Sequence, residues 1–381
     1  LPLDAVLNIL LINTVVVNMS SEIRIALTAI KGRGTATRLA HRFATDSRDA
    51  VDDGWGSLDD AAAQAGAPVP TEVIWEQAKS ALTQQQSPDI YFEQSVNPYR
   101  GCEHGCVYCF ARPTHSYLNL SPGLDFETRI IAKRNIADVL RAELARPRYV
   151  PRGLVIGTAT DCYQPVEREL RLTRGLVEVL HEAGHAFSLI TKSSGVERDL
   201  DLLAPMAAQR LAAVYVTVTT LDGEVARTLE PRAASPQRRL RTIRALAEAG
   251  VPVGVSVAPQ IPFVTEDMEQ VLAAAWDAGA RSAFYTVVRL PWEVAPLFRE
   301  WLQLHLPDRA DRVMARVQEM RGGRDYDSDF STRMKGSGVW AELIRQRFDK
   351  ACAKLGFNRE RVVQDLGRFR RPARDGQGSL F

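Results

Sequence analysis

The stretch NPYRGCEHGCVYCFARPTHSYLNLSPGLDFETR, residues 97–129, places Cys102, Cys106 and Cys109 within eight residues of a 381-residue chain that has five cysteines. An odd, bunched set of thiols is not the spread and paired framework of a disulfide scaffold; it suits a reducing compartment and a metal site. A Cys-x3-Cys-x2-Cys spacing lets one loop reach three corners of a four-iron, four-sulfur cube. Nothing local fills the fourth corner, because only Glu103, His104, Gly105, Val107 and Tyr108 intervene. An iron left open is a place for reaction rather than a passive wire. Two other readings of the same thiols stand beside this one. One is a zinc knob completed by His104 or His115; the other is an electron-transfer cluster with Cys162 as fourth ligand.

Such a loop must be carried by a scaffold, and the rest of the chain supplies one. Hydrophobic residues make up 45% and charged residues 25% of the sequence, an ordinary globular composition, and a net charge of +2 demands no polyanionic partner. From about residue 91, short apolar runs alternate with helical patterns. Strands are expected at GLVIGTAT (153–160), HAFSLIT (185–191), LAAVYVTVTT (211–220), VPVGVSVAP (251–259) and RSAFYTVVRLP (281–291). Helices are expected between and after them, at 165–184, 196–207, 235–250, 265–279 and 293–305, the fourth with a Thr265 N-cap. Two helices end in EAGH and EAGV, where Gly allows the left-handed turn into the next strand. With one strand just before the cysteines, six β/α units result, which means a parallel sheet with helices outside it. Their regularity favours a barrel or partial barrel over an open doubly wound sheet, and no GxGxxG follows the first strand.

The flanks read differently. Residues 1–90 form an irregular N-terminal arm: residues 1–18 are expected to be an over-extended start, KGRGTATRLAHRF is basic, DSRDAVDDGWGSLDDAA is acidic, and AGAPVPTEV is an extended linker. Residues 91–305 form the barrel. Residues 306–381 form a helical C-terminal extension with a disordered tail. No stretch has the length and apolarity of a membrane span, so a cytoplasmic location without membrane association is expected.

The cysteine spacing with its aromatic before the last thiol (CVYC) resembles the radical S-adenosylmethionine (SAM) superfamily. The words NPYRGCEHGCVYCFAR, GTATDCYQPVE, TKS, VTVTTLD and LEPRAASPQRRL look like its spore photoproduct lyase-like branch, with that branch's uncharacterised bacterial members. The resemblance covers residues 90–305 and continues into MRGGRDYDSDFSTRMKG. It implies an α/β fold, a partial (β/α)6 TIM-like barrel, and a [4Fe-4S] cluster on Cys102, Cys106 and Cys109. It implies S-adenosyl-L-methionine on the open iron, reductive cleavage to a 5′-deoxyadenosyl radical, and hydrogen abstraction from a substrate. A low-potential electron donor such as flavodoxin or ferredoxin would feed the cluster. Repair of a DNA lesion, as in the lyase, is one specific reaction the branch suggests; a non-catalytic iron–sulfur electron carrier is the other alternative.

Ligands of a parallel barrel sit at the C-terminal strand ends, which selects rim candidates without any family. Strand two ends at Thr158 and Asp161, strand three at Lys192, strand four at Thr217, and LEPR places Glu230 and Arg232 just beyond it. A zwitterionic amino acid needs a cation for its carboxylate and acceptors for its ammonium. Lys192 suits the carboxylate, as the resemblance supports; Asp161, Thr158 and Thr217 suit the amino group or ribose; Glu230 and Arg232 can hold ribose or carboxylate. Tyr108 falls on the family's aromatic position beside the cofactor adenine. Cys162 follows the second strand, so the rim rule turns its thiol toward the cavity as a candidate hydrogen relay, with an inert thiol as the bland reading. Arg112 and His115 support the loop, and Cys352 is expected to be helix packing. Residues 309–374 carry 17 Lys and Arg against 9 Asp and Glu, which would suit nucleic acid or simply a solvated, ion-paired surface.

Overall fold

The computed structural model describes residues 29–44, 69–360 and 363–373. The expectations for residues 1–18, the acidic stretch at 46–62 and the end of the tail lie outside these residues.

Seven strands form the main sheet. In spatial order they are β10 (Ser282–Phe284), β9 (Val253–Ser256), β8 (Ala212–Thr217), β7 (Phe187–Thr191), β6 (Leu154–Ile156), β3 (Gln94–Val96) and β2 (Leu82–Gln84). From β3 to β10 every pairing is parallel, which is the expected set of six β/α strands; β2 is added antiparallel to β3 at one edge. The sheet is not closed, and β2 and β10 are its two edges. The fold is therefore an incomplete parallel β/α barrel.

Strand alternation sorts the side chains into two sets. Val214, Val216, Val253 and Val255 join the main core with Leu176 and Leu180 of α4 (Leu172–Glu182), Leu246 of α7 (Pro236–Glu248) and Val271 of α8 (Met268–Asp277). Their neighbours in sequence, Tyr215, Thr217, Gly254 and Ser256, lie outside that core and line the lumen. The helix ends follow the glycines: Gly184 and Gly250 have φ of +57° and +75°, and the next residues' N–H groups return to Leu180 and Leu246 carbonyls. Ser235 caps α7 as its position before Pro236 suggests. Thr265 does not cap α8. Its hydroxyl accepts from Ile261 N–H at 2.8 Å, and the helix starts after Asp267. The expected helix at 165–184 breaks at Arg171, φ +52°, into α3 (Glu167–Leu170) and α4.

The N-terminal arm is more structured than its composition suggests. Residues 72–76, expected to be the end of the linker (65–73) and irregular arm beyond it, form β1 (Glu72–Glu76), parallel to β5 (Arg129–Lys133), which pairs with β4 (Tyr99–Arg100) in a second, three-stranded sheet. β1 is an edge strand with exposed positions on both faces, so its apolar alternation is weak. The last barrel helix, α9 (Val294–His305), and α10 (Ala310–Glu319) of the C-terminal extension pack on the cysteine loop, and α11 (Gly338–Leu355) packs on α8. Some cations of the extension are paired with acids of the chain, as Arg333 is with Asp89, Arg345 with Glu342 and Asp349, and Arg347 with Glu269. No helix among the described residues is long and apolar enough to cross a membrane.

Candidate active site

The cysteine loop begins six residues after β3, where β4 turns out of the barrel. Gly101 and Gly105 have φ of +81° and +68°, and a Cβ on Gly105 would lie 2.8 Å from the Glu127 carboxylate. Only glycine lets the loop double back so close to that group. The Cys102 N–H donates to Phe126 O at 2.9 Å, and Cys109 N–H to Cys106 O at 3.2 Å. Arg112, fully buried, then pins the loop from behind. Its guanidinium donates to the carbonyls of Cys106, Gly105, Pro122 and Gly123 at 2.9–3.1 Å and pairs with the buried Glu127 carboxylate at 2.6 Å. His115 turns away from the thiols to the Arg129 carbonyl at 3.1 Å, and burial brings its pKa down to about 4.

All three thiols are free; Cys102 and Cys106 are buried and Cys109 is partly exposed. Burial pushes the Cys102 thiol well up and the Cys106 thiol to about 12, so the polypeptide alone does not hold them as thiolates. A metal centre does so outright, and three soft sulfur donors on one loop fit an iron–sulfur cluster. Among the described residues, no three His, Cys, Asp or Glu side chains converge at the spacing of a single ion.

The outer side of the loop is covered by the arm, which sequence reasoning missed. Gly34 N–H and the Thr35 hydroxyl donate to the Glu127 carboxylate at 2.9 and 3.0 Å, and Arg33 donates to Glu127 O at 2.9 Å. A Cβ on Gly34 would overlap the Gly105 carbonyl, so the two glycines allow backbone to pack on backbone. The KGRG motif was the available signal, but nothing local names its partner 93 residues away. Glu103 is a second tether: it pairs with Arg232 at 3.0 Å, accepts from Thr71 and from Val166 N–H at 2.6 Å, and its own N–H donates to Gln164. Arg232 thus faces the outside of the loop.

Asp161 fastens the rim. Its carboxylate accepts from the Thr191 hydroxyl and Lys192 N–H at 2.7 Å and from Tyr163 N–H at 2.9 Å, and it lies 3.2 Å from His104 Nδ1. Burial alone would raise its pKa; His104 and these donors hold it well below the usual carboxylate range. Thr158 accepts from the Asn97 amide at 3.3 Å. Tyr108 is buried with its hydroxyl on Glu230, which also accepts from Thr219 at 2.6 Å and pairs with buried Arg239. Burial alone would raise Glu230; Arg239 and Lys192 outweigh it and bring the carboxyl down to about 2. Thr217 ends β8 beside Ser256, its carbonyl held by Arg239 at 3.1 Å. Lys192 stands with its ammonium 5.9 Å from the Tyr108 ring centre, without a carboxylate at ion-pair distance among the described residues. Burial lowers its pKa, but Cys106 and Glu230 more than compensate and raise it.

The rim does not turn Cys162 toward the cavity. The thiol is fully buried in the main core, 3.9 Å from the Ile190 carbonyl, and Thr173 at the start of α4 binds its backbone oxygen. Burial raises its pKa well above the usual value. Gly157, φ +86°, lets the chain after β6 fold the thiol inward, since a Cβ there would sit 3.0 Å from the sulfur. Cys352 is buried in α11 and pushed up to about 12 by burial, as expected of packing.

Fold and loop together describe a β/α-barrel protein organised around a cysteine loop. Residues 96–275 match the family model of the Radical SAM superfamily. An uncharacterized protein of Mycobacterium tuberculosis is 38% identical over 238 residues, covering 61% of this chain and 70% of the relative. An uncharacterized protein of Methanocaldococcus jannaschii is 23% identical over 237 residues, covering 62% and 85%. Among solved structures, a spore photoproduct lyase mutant with dinucleoside spore photoproduct has a TM-score of 0.50 at 13% identity, covering 78% of this chain and 91% of that one. The chain belongs to the radical SAM superfamily.

Proposed function

We propose that Cys102, Cys106 and Cys109 hold a [4Fe-4S] cluster whose fourth iron binds S-adenosyl-L-methionine, and that the protein is a radical SAM enzyme acting by hydrogen abstraction. When reduced, such a cluster supplies the electron that cleaves S-adenosylmethionine to methionine and a 5′-deoxyadenosyl radical. The observation that carries this reading is the set of three free thiols on one pinned loop at the rim of an open parallel barrel, beside a lysine with no carboxylate at ion-pair distance among the described residues.

The chain's own residues bind and orient. Lys192 receives the cofactor carboxylate, because it is a rim cation on the Cys106 side of the loop with no counter-ion among the described residues. The Thr217 hydroxyl, on the lumen face at the end of β8, serves the amino group or ribose. Tyr108 is held rigidly by Glu230 and Thr219 and presents its ring as a flat wall for the adenine. Asp161, Glu230 and Arg232 are engaged within the chain, as is Thr158 with Asn97, and they position the loop and the lysine. Bound substrate filling the lumen would exclude water from the reacting carbon. A ferredoxin or flavodoxin delivers the electron.

Anaerobic reconstitution with iron and sulfide, reduction, and analysis for 5′-deoxyadenosine test the reading. About four irons per chain and cofactor-dependent 5′-deoxyadenosine are expected. A cluster that reduces without cleaving the cofactor would mark an electron carrier, and a bound zinc would overturn the proposal.

A further inference from the structure

A second rim cation has no acid partner among the described residues. Arg289 follows β10, flanked by the fully buried Val288 and Leu290, and its guanidinium lies 4.3 Å from the centre of the half-exposed Phe110 ring, next to Cys109. No carboxylate lies at ion-pair distance from it among the described residues. The nearby acid, Asp89, is held by Arg333 in a two-pronged pair. Buried Arg321 adds to the imbalance: it bonds the Thr332 and Val288 carbonyls at 3.0 and 2.8 Å, its Nε has no partner, and its charge opposes that of Arg289. Three guanidinium groups thus gather where the facing carboxylates, Asp89 and Asp327, are fewer. Arg289 is enclosed by protein yet still reached by solvent, as a residue lining an open lumen would be. An enclosed guanidinium without an anion is costly, and its planar fork matches an oxyanion in two hydrogen bonds. Lys192 stands on the Cys106 side of the loop and Arg289 on the Cys109 side. S-adenosylmethionine has one carboxylate, and Lys192 is enough for it.

Resting on the radical SAM reading only for taking the lumen as substrate space, we propose that Arg289 binds an oxyanion of the substrate, a phosphate or a carboxylate, and so orients the substrate on the Cys109 side of the cysteine loop. Phe110 forms the flat side of that subsite.

The test is binding to the full chain, anaerobic and with S-adenosylmethionine present, at constant ionic strength. The probes are inorganic phosphate, acetate, and a pyrimidine nucleoside monophosphate with its uncharged nucleoside as control. The monophosphate should bind at least about tenfold tighter than the nucleoside, and Arg289→Gln should remove that advantage. Arg324→Gln, at an exposed arginine of the adjoining segment, should retain it. Preference for the phosphate probes identifies a phosphoryl substrate, and preference for acetate a carboxylate one. Unchanged binding in Arg289→Gln, equal losses in both variants, or no binding of any charged probe overturns the proposal. Should Arg289→Gln lose its native circular dichroism, Arg289→Lys replaces it. That variant keeps the charge without the fork, so a severalfold loss is expected and unchanged affinity refutes. Formation of 5′-deoxyadenosine by the same preparation reports separately on the radical SAM reading.

Discussion

Replacing Glu127 by Gln removes one charge from a pair sealed from solvent. Glu127 and Arg112 are both fully buried and lie 2.6 Å apart. The amide keeps an oxygen for either the Arg112 and Thr35 donors or Gly34 N–H, and turns its own NH2 on the other. Breaking a buried pair from one side costs about 3–5 kcal/mol, because the remaining charge is stranded. Arg112→Met should cost more. It strands the Glu127 carboxylate and also leaves the carbonyls of Gly105, Cys106, Pro122 and Gly123 without this donor, each at roughly 1–3 kcal/mol where no replacement forms. For the same reason an apolar double replacement, Arg112→Met with Glu127→Leu, should not recover stability, although a plain buried ion pair often allows that. Urea unfolding of the metal-free chain gives the free energies, and iron content after reconstitution reports on the loop. A double variant as stable as the parent, or an Arg112→Met no worse than Glu127→Gln, would refute the view that arginine–carbonyl bonds hold the loop.

Other outcomes are accessible with the same preparations. Cys106→Ala should lose both iron and 5′-deoxyadenosine formation. Cys162→Ala should keep both, at a cavity cost of about 1–2 kcal/mol, because its thiol is sealed in the core. His185 is buried against Tyr149, 2.7 Å from its hydroxyl, and burial lowers its pKa to about 4. The unfolded chain therefore binds the extra proton first as pH falls below about 6.5, and His185 should take roughly 3 kcal/mol of stability between there and pH 4, beside a share of the same sign from His115. His185→Gln should flatten that slope, and an unchanged slope would exclude the residue as its source. Asp89→Asn should free Arg333 and loosen residues 327–336, whose Met334 carbonyl and Lys335 ammonium bond β10-side backbone. Faster tryptic cleavage after Arg324 or Arg333 in limited digestion would show it, and unchanged cleavage would place the restraint elsewhere.

The six parallel strands of the partial barrel were legible because most are buried on both faces and therefore read as apolar runs, several of them bounded by a turn glycine such as Gly157, Gly184, Gly250 or Gly279. Gly184 and Gly250 marked helix ends correctly because the left-handed turn is a local requirement. What escaped was non-local. Glu127 gives no sign that it binds Arg112 fifteen residues before it and Gly34 ninety-three before it. The strand at 72–76 has an exposed outer face, with Trp75 45% exposed, so its pattern resembles a linker. Cys162 was misplaced because strand direction fixes where a strand ends but not which way the next turn folds; Gly157 decides that, by leaving room for the sulfur. Thr265 is a good cap by type, yet its hydroxyl finds the Ile261 N–H first.

The partners of the rim acids explain why so charged a site leaves its cations free. Glu127, Glu103 and Asp161 approach the cysteine loop from three directions, and each is consumed by donors of the scaffold. Glu230 is consumed likewise by Tyr108, Thr219 and Arg239. Had any of these carboxylates reached Lys192 or Arg289, the ion pair would compete with an incoming anion, and binding would first have to break it. Holding the acids by backbone N–H groups, hydroxyls and buried arginines fixes the loop while preventing that competition. Lys192 and Arg289 then remain partly enclosed with no carboxylate at ion-pair distance among the described residues, a cost to folding stability that an anionic ligand would return. On the proposed reading, orientation of the ligands would follow from cations the scaffold leaves uncommitted and from a cysteine loop pinned by Arg112 and Glu127.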